Sequence, residues 1–169
     1  MARNVEVKAR IESVEALAPR VAALADSGPS EILHEDTFFA CTGGRLKLRI
    51  FSDTEGQLIF YRRPDVAGPK ESFYVISPTT SPRTLLDALS LAYGQIGRIK
   101  KRRTLFLIGR TRVHLDCVDE LGHFVELEVV LGENEPTDAG VAIARDLLAR
   151  LGISSSQLVE GAYVDIRHP

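Results

Sequence analysis

Polar and apolar residues alternate regularly over residues 3–12, and this pattern predicts a first β-strand. The polar side chains are those of Asn4, Glu6, Lys8, Arg10 and Glu12, and the residues between them are Val, Val, Ala and Ile. Because successive side chains of a strand point to opposite faces, one face of this strand is charged and the other is apolar. A face of this kind is typical of a strand that is half exposed to water.

Three later segments repeat the alternation. Basic residues alternate with Leu and Ile over 45–50, polar residues with mainly apolar ones over 110–117, and glutamates with Val and Leu over 124–131. A solvent-facing surface is the simplest interpretation of any one segment, but four of them favour a sheet that curls so that its charged faces converge. Its interior would hold many cations and several carboxylates, which suits a polyanion bound together with a divalent metal.

The rest of the pattern predicts an α+β architecture with many antiparallel hairpins. Strands are expected at 31–41, 45–52, 57–63, 70–77, 95–108, 110–118 and 123–131. Helices are expected at 14–26 and 82–93, and a last helix capped by Thr137 or Asp138 is expected to run to about Leu151. Ser13 is expected to cap the first helix, and Pro19 lies where it can kink it. Residues 27–30 read as a loop, and 163–165 as a last turn or an edge strand.

Composition narrows the class of protein. A chain of 169 residues predicts a single domain over 1–169, and a net charge of −2 gives no overall basic field for nucleic acid. No segment has the length and apolarity of a membrane span or the pattern of a signal peptide, so a cytoplasmic protein without membrane or nucleic-acid partners is expected. Cys41 and Cys117 have no metal-ligand spacing and are interpreted as reduced packing residues.

The candidate chemistry lies on the charged strand faces. Seven basic residues on predicted strands could bind phosphate, because a guanidinium offers two parallel hydrogen bonds and an ammonium a compact charge: Lys8, Lys47, Arg49, Arg62, Lys101, Arg103 and Arg112. Glu6, Glu126 and Glu128 lie on strands with this alternation. Glu126 and Glu128 are two residues apart, so they point the same way and could hold one Mg²⁺ or Mn²⁺ ion. The alternative is surface glutamates paired with neighbouring arginines.

Other site chemistries find little support. The four histidines, His34, His114, His123 and His168, form no zinc pattern, and His114 on the charged face serves equally well as a site residue or as a structural hydrogen-bonding group. Neither a Gly-x-Ser-x-Gly motif nor a phosphate-binding loop ending in Gly-Lys-Ser/Thr is found in the sequence.

Taken in order, these segments resemble the CYTH family, which includes class IV adenylyl cyclases and thiamine triphosphatases and is also called the triphosphate tunnel metalloenzymes. The opening run Asn4–Arg10 is similar to the family signature Glu-x-Glu-x-Lys. The other similar segments are Asp36–Phe39, Arg45–Arg49, Tyr61–Pro64, Ile99–Arg103, Arg112–Asp116 and Leu121–Glu128. Each motif alone has low specificity, but the ordered set covers nearly the whole chain.

The resemblance implies an eight-stranded antiparallel β-barrel with flanking helices, whose interior is a tunnel for a triphosphate. It implies catalytic roles for Lys8, Arg62 and Asp116, and substrate binding by Lys8, Lys47, Arg49, Arg62, Lys101, Arg103, Arg112 and His114. The metal ligands for Mg²⁺ or Mn²⁺ would be Glu6, Glu126, Glu128 and Asn4. Asn4 replaces the first signature glutamate, so its amide oxygen can ligate but brings no charge.

Three functions are therefore compared. An adenylyl cyclase would convert ATP to cyclic AMP and pyrophosphate, and a triphosphatase would hydrolyse inorganic triphosphate, a nucleoside triphosphate or thiamine triphosphate; both would use the same tunnel. The segments Leu33–Phe39 and Val113–Asp116 resemble the cyclase branch more closely. The substitution at Asn4 motivates a third hypothesis, a module that binds a nucleotide or polyphosphate without turnover. A homodimer that pairs through outer faces of the barrel is also compatible with the resemblance.

Overall fold

The computed structural model describes residues 2–167, so His168 lies outside the described residues. Within this range the chain forms nine strands and four α-helices. A 3-10 turn at Ser155–Gln157 precedes the last strand. The elements in chain order are β1 (Ala2–Ile11), α1 (Val14–Leu24), β2 (Ser27–Phe39), β3 (Arg45–Ser52), β4 (Glu55–Arg62), β5 (Lys70–Thr79), α2 (Pro82–Tyr93), β6 (Gln95–Ile108), β7 (Thr111–Val118), β8 (Gly122–Val130), α3 (Thr137–Arg150), β9 (Leu158–Val159) and α4 (Tyr163–Arg167).

Eight of these strands close into a ring. The order β5-β4-β3-β2-β6-β7-β8-β1 is closed by pairing of β1 with β5, and every pairing is antiparallel. Strand β5 covers the edge of β1 at residues 2–6, and the two-residue strand β9 pairs with β1 farther along, at residues 8–9. Closure leaves no long free edge and confirms the predicted α+β barrel.

The apolar faces of the strands point outward and are covered by helices. Val5, Val7 and Ala9 are at most 1% exposed and belong to a cluster that includes residues of α1 and α3. Helix α2 packs across β2, β3 and β4. A Cβ atom on Gly140 of α3 would lie 2.6 Å from Val5 Cγ2, so only glycine permits this close approach. The main core therefore surrounds the barrel, and the charged faces are left to line its interior.

Two local predictions are corrected by the structure. Residues 27–30 are the irregular start of β2 and not a loop: a register shift between Ser27 and Ser30 lets the strand accommodate Gly28 and Pro29 while it pairs with the long strand β6. Neither Thr137 nor Asp138 caps the last long helix: it starts at Thr137 with Pro136 at its N-cap and no side-chain cap, and the Thr137 hydroxyl donates to Glu71 at 2.5 Å.

Other local predictions agree with the structure. Ser13 caps α1 by accepting a hydrogen bond from the Ala16 N–H at 3.3 Å, and Pro19 lies within this helix. Residues 163–167 form the short helix α4, which agrees with the predicted last turn. Across residues 2–167, none of the helices combines the length and apolarity needed to cross a bilayer.

Candidate functional site

The inward faces of the strands enclose a cavity of about 280 Å³ inside the barrel, here called the tunnel. Eleven of its lining residues are charged. The basic residues that line it are Lys8, Lys47, Arg49, Arg63, Lys101, Arg103 and Arg112, and the carboxylates are Glu6, Asp36, Glu126 and Glu128. Asp116 is buried directly behind Arg103. Basic side chains thus outnumber carboxylates in this enclosed space, which favours binding of an anion.

Two arginines of the tunnel are held by buried aspartates on neighbouring strands. Arg49 of β3 lies opposite Asp36 of β2 and donates to both of its oxygens, at 2.8 and 2.9 Å. Arg103 of β6 lies opposite Asp116 of β7 and forms the same forked pair, at 2.8 Å for both bonds. Such bidentate pairing fixes the plane of each guanidinium, so both arginines are oriented before any ligand enters.

Two lysines complete the basic lining, and burial lowers the pKa of both. Lys101 Nζ lies 3.8 Å from Asp36 and 3.9 Å from Asp116, and so bridges the two pairs. Burial lowers the pKa of Lys101 well below its usual value, and the neighbouring Arg103 adds to this. Burial, with the charge of Arg49, also lowers the pKa of Lys47 to about 8. An anion that entered the tunnel would relieve this repulsion.

A cluster of possible metal ligands lies on β7 and β8. One ligand atom from each of His114, Glu126 and Glu128 can be chosen so that all lie within 4.8 Å of one another. Burial, followed by the charge of Arg103, lowers the pKa of His114, which favours the neutral ring that can ligate a metal. Glu126 Oε2 is 3.7 Å from Lys8 Nζ, and Arg112 donates to Glu128 at 2.7 Å.

Asn4 joins this cluster from β1. Its Nδ2 donates to Glu128 Oε2 at 3.0 Å, and among the described residues its buried Oδ1 has no hydrogen-bond partner. An orphaned oxygen beside two carboxylates and a neutral imidazole is a donor set that fits a hard divalent cation. Glu6 faces the same space, directly opposite Glu128 in the sheet, but its carboxylate accepts from Arg63.

The structure corrects the placement predicted for Arg62. Tyr61 points into the tunnel, so Arg62 points to the outer face, where its guanidinium lies over the rings of Phe60 and Phe73. Arg63, the next residue, turns inward as β4 ends; its side chain is 6% exposed and donates to Glu6 and to the Gly161 carbonyl. The basic residue that this segment supplies to the tunnel is therefore Arg63.

The structure also corrects the role expected of Asp116. This carboxylate is fully buried, and its two oxygens accept bonds from Arg103 and from the Tyr163 hydroxyl, which donates at 2.7 Å. Burial alone would raise the pKa of Asp116, but Arg103 and Lys101 hold it far below its usual range. Asp116 is not among the residues that line the tunnel; it lies behind Arg103 and holds the guanidinium in place.

Helix α4 closes one end of the tunnel with Tyr163. The face of this ring lies 3.7 Å from Lys8 Nζ and 4.9 Å from Lys101 Nζ, and its edge packs against Phe124. The helix is attached by Asp165, which accepts two bonds from Arg45, at 2.9 and 2.5 Å. A residue outside the barrel strands thus orients two lysines of the tunnel.

The predicted set and the observed lining overlap closely. The structure brings together Asn4, Glu6, Lys8, Lys47, Arg49, Lys101, Arg103, Arg112, His114, Glu126 and Glu128 around the tunnel, and leaves out Arg62 and Asp116. Arg63, Asp36 and Tyr163 were not among the expected site residues. The alternation along β2 could have identified Asp36, since it lies two residues from both His34 and Phe38 and so shares their inward face. Its pairing with Arg49 depends on the register between β2 and β3, which the sequence alone does not give.

Comparison with known proteins gives a consistent result. The CYTH domain matches residues 2–163. "Adenylate cyclase CyaB" of Aeromonas hydrophila is 26% identical over 171 residues, which cover 95% of this chain and 86% of that protein. The solved structure of the PH1012 protein of Pyrococcus horikoshii OT3 is similar with a TM-score of 0.85 at 20% identity, over 96% of this chain and 98% of that one.

A second solved structure is also similar. HpAC1 of Hippeastrum, described as an adenylyl cyclase candidate with a dominant triphosphatase activity, gives a TM-score of 0.61 at 15% identity and covers 90% of this chain and 89% of that one. Since the CYTH domain matches almost every described residue, from β1 to the start of α4, the chain belongs to the CYTH family.

Proposed function

We propose that this protein binds a triphosphate inside its tunnel together with Mg²⁺ or Mn²⁺, and that it converts ATP to cyclic AMP and pyrophosphate. The observation that carries the proposal is the excess of basic side chains in an enclosed space, beside a cluster of His114, Glu126, Glu128 and Asn4 that fits a divalent cation. The name of the Aeromonas relative supports the choice of ATP.

The roles of the basic residues follow from their positions. Arg49 and Arg103 are held rigidly by aspartates, so their remaining N–H groups can stabilise charge on phosphoryl oxygens without reorganising. Lys8, Lys47 and Lys101 add charge around them, and Arg63 and Arg112 approach from β4 and β7. These cations would neutralise the charge that accumulates on the phosphate oxygens as the phosphorus–oxygen bond breaks.

The acidic cluster supplies the second part of the site. Glu126, Glu128, His114 and Asn4 would hold the divalent cation, with Glu6 on the facing strand as a further carboxylate. A bound divalent cation polarises phosphoryl oxygens and lowers the pKa of an attacking hydroxyl or water. In cyclisation the attacking group is the ribose 3′-hydroxyl at the α-phosphorus.

Hydrolysis of a triphosphate is the second candidate function. The same cations and ligands could serve water attacking the terminal phosphorus, and the triphosphatase activity named for the Hippeastrum protein supports this alternative. The two reactions differ in where the triphosphate is seated along the tunnel.

Product analysis tests these functions directly. The purified protein is incubated with ATP, and separately with inorganic triphosphate, in Mg²⁺ and in Mn²⁺. Cyclic AMP with pyrophosphate is the expected result. Orthophosphate from either substrate would assign the protein to the triphosphatases, and binding without any product would leave only the binding module.

Arg63, and not Arg62, is expected to contribute to triphosphate binding. Replacing Arg63 by alanine removes a charged donor from the tunnel, and we expect affinity for triphosphate to fall by about 1.5–3 kcal/mol, the usual worth of a hydrogen bond to a charged group. Arg62→Ala is the matched control, since it removes the same charge from the outer face one residue away. Calorimetric titration measures the triphosphate affinity of both variants. Equal losses of affinity would contradict the placement of Arg63 inside the tunnel and of Arg62 outside it.

Triphosphate affinity is also expected to fall as pH rises above 8. Lys47 has a pKa of about 8, and a polyanion binds its protonated form better, so affinity is highest below this pH and declines as the lysine loses its proton. The arginine of the Lys47→Arg variant stays charged between pH 7.5 and 9.5, a range that spans about one unit on either side of the pKa. We therefore expect this variant to show a flatter decline in triphosphate affinity over that range. Lys100→Arg, on the exposed outer face of β6, serves as control. Parallel pH profiles for all three proteins would exclude Lys47 as the source.

A further inference from the structure

Outside the tunnel, three side chains from neighbouring strands meet on the outer face of the barrel. Cys117 of β7 lies directly opposite Arg102 of β6 on one side and directly opposite His123 of β8 on the other. Directly opposed side chains of an antiparallel pair share one face, with Cβ atoms about 4.5–5.5 Å apart. The preceding residue, Asp116, points inward to Arg103, so Cys117 points away from the tunnel. We call Arg102, Cys117 and His123 the thiol cluster.

His123 places a proton against the sulfur of Cys117. Its Nδ1 accepts a hydrogen bond from the Val14 N–H at 2.9 Å, so Nδ1 carries no proton and the ring carries its proton on Nε2. Nε2 is the nitrogen that faces Cys117, at 3.7 Å from Sγ. The N–H group therefore donates to the sulfur, and it stabilises the thiolate, which is the form that reacts as a nucleophile.

The sulfur is reachable from solvent through a groove on the outer face. Cys117 is half-buried, and it lines this groove, whose volume is about 470 Å³. Cations outnumber carboxylates there, since Arg83, Lys100 and Arg102 face Glu35 and Asp119. Glu35 is already paired with Arg98, at 2.5 Å, whereas Arg102 is exposed and forms no ion pair within residues 2–167. The guanidinium beside the sulfur is therefore available to an anionic reagent.

We propose that Cys117 is a site of reversible modification, at which its thiolate attacks a small disulfide that carries carboxylates, such as oxidised glutathione. The thiol first loses its proton to water. A new bond then forms between Cys117 Sγ and one sulfur of the reagent, the reagent's own S–S bond breaks, and its other half leaves as a thiolate that takes up a proton. The sulfur of Cys117 is oxidised and the departing sulfur is reduced. Arg102 holds a carboxylate of the reagent beside the reacting sulfur.

Cys41 provides a reference within the same chain. It is also free and half-buried, but it lies between β2 and β3, and within residues 2–167 its sulfur has no histidine partner. The protein is incubated with oxidised glutathione, and mass spectrometry of its peptides follows the modification of each cysteine with time. Cys117 is expected to react faster than Cys41. Equal rates, or a faster reaction at Cys41, would overturn the proposal.

The variant His123→Asn tests the hydrogen bond to the sulfur. Its amide oxygen can still accept from the Val14 N–H, but the donor to Cys117 is lost. A hydrogen bond to a charged group shifts an equilibrium about ten- to a hundredfold. A better-stabilised thiolate is also a weaker nucleophile, which cancels about half of this gain on a logarithmic scale. We therefore expect Cys117 to react about three- to tenfold more slowly and Cys41 at its usual rate. An unchanged rate at Cys117 would contradict the role of His123.

The variant Arg102→Gln tests the preference for carboxylates, and its exposed position makes it safe for the fold. Two aromatic disulfides are compared, the anionic dithiobis(nitrobenzoate) and the neutral dithiodipyridine. Loss of the charge should slow the reaction of Cys117 with the anionic reagent by up to about fivefold, and more than the reaction with the neutral one. Arg145→Gln, which removes a charge from the exposed face of α3, should alter neither rate. Equal slowing with both reagents, or no slowing with either, would exclude recognition of carboxylates by Arg102.

Discussion

Replacing Asp116 by alanine is expected to destabilise the protein by about 3–5 kcal/mol, the usual cost of leaving a buried charge without its partner. Arg103 would lose both bonds of its forked pair, Lys101 one of its two nearby carboxylates, and Tyr163 the acceptor of its hydroxyl. The effect is large because all of these groups are buried in one network, where water cannot replace the lost carboxylate.

The same substitution three residues away provides the control. Asp119 is exposed in the turn after β7, so Asp119→Ala should change the free energy of unfolding by less than about 0.5 kcal/mol. Denaturant unfolding of both variants measures the difference, and equal stabilities would contradict the network. Because its folded pKa is depressed, Asp116 contributes stability above its unfolded pKa of about 3.9 and loses it as pH falls towards the lower folded value.

Changing both glutamates of the acidic cluster to glutamine is expected to remove metal-dependent turnover. Glu126→Gln/Glu128→Gln keeps the shape of both side chains but takes away the anionic oxygens that a hard cation prefers. Loss of residues that merely support a metal ligand costs about ten- to a hundredfold, so loss of two ligands should exceed about a hundredfold. Binding of Mn²⁺, followed by its electron paramagnetic resonance signal, should weaken in parallel.

The control for this variant is a carboxylate outside the tunnel. Glu133→Gln makes the same chemical change in the exposed turn after β8 and should leave both turnover and Mn²⁺ binding unaltered. Circular dichroism verifies that the double variant is folded, since Glu126 also pairs with Lys8 and Arg103. A folded double variant with normal metal-dependent turnover would exclude this cluster as the metal site.

The sequence predicts the interior of the barrel well because one rule determines it. Side chains alternate with a period of two, so a strand that is polar at Asn4, Glu6 and Lys8 keeps these three on one face along its length. Whether that face looks to water or to a tunnel depends on closure of the sheet. The pattern alone left both interpretations open, and pairing of β1 with β5 decides between them.

Alternation fails where a strand ends. Arg62 and Arg63 follow each other, and both are basic, so the pattern cannot tell which of them points inward. The inward position of Tyr61 decides it, but Tyr61 is an aromatic residue that could have packed on either face. For this reason a motif matched by position in sequence selected Arg62, which lies on the outer face, and not Arg63, which lines the tunnel.

Residues that hold other site residues in position are also hard to predict from sequence. The contact of Asp36 with Arg49 and that of Asp116 with Arg103 each join residues 13 positions apart, and only the register between strands brings them together. Tyr163 reaches the lysines from a helix that follows the whole barrel in sequence. No local periodicity can show that a residue of this kind completes a site formed by distant strands.

The central claim is that the phosphates lie inside the tunnel, and a crystal structure with a non-reactive ATP analogue and Mn²⁺ tests it most directly. The account predicts the triphosphate between Arg49, Arg63 and Arg103, with Mn²⁺ at Glu126 and Glu128. A triphosphate bound on the outer surface, for example at Arg62, with the tunnel closed to it, would contradict the account.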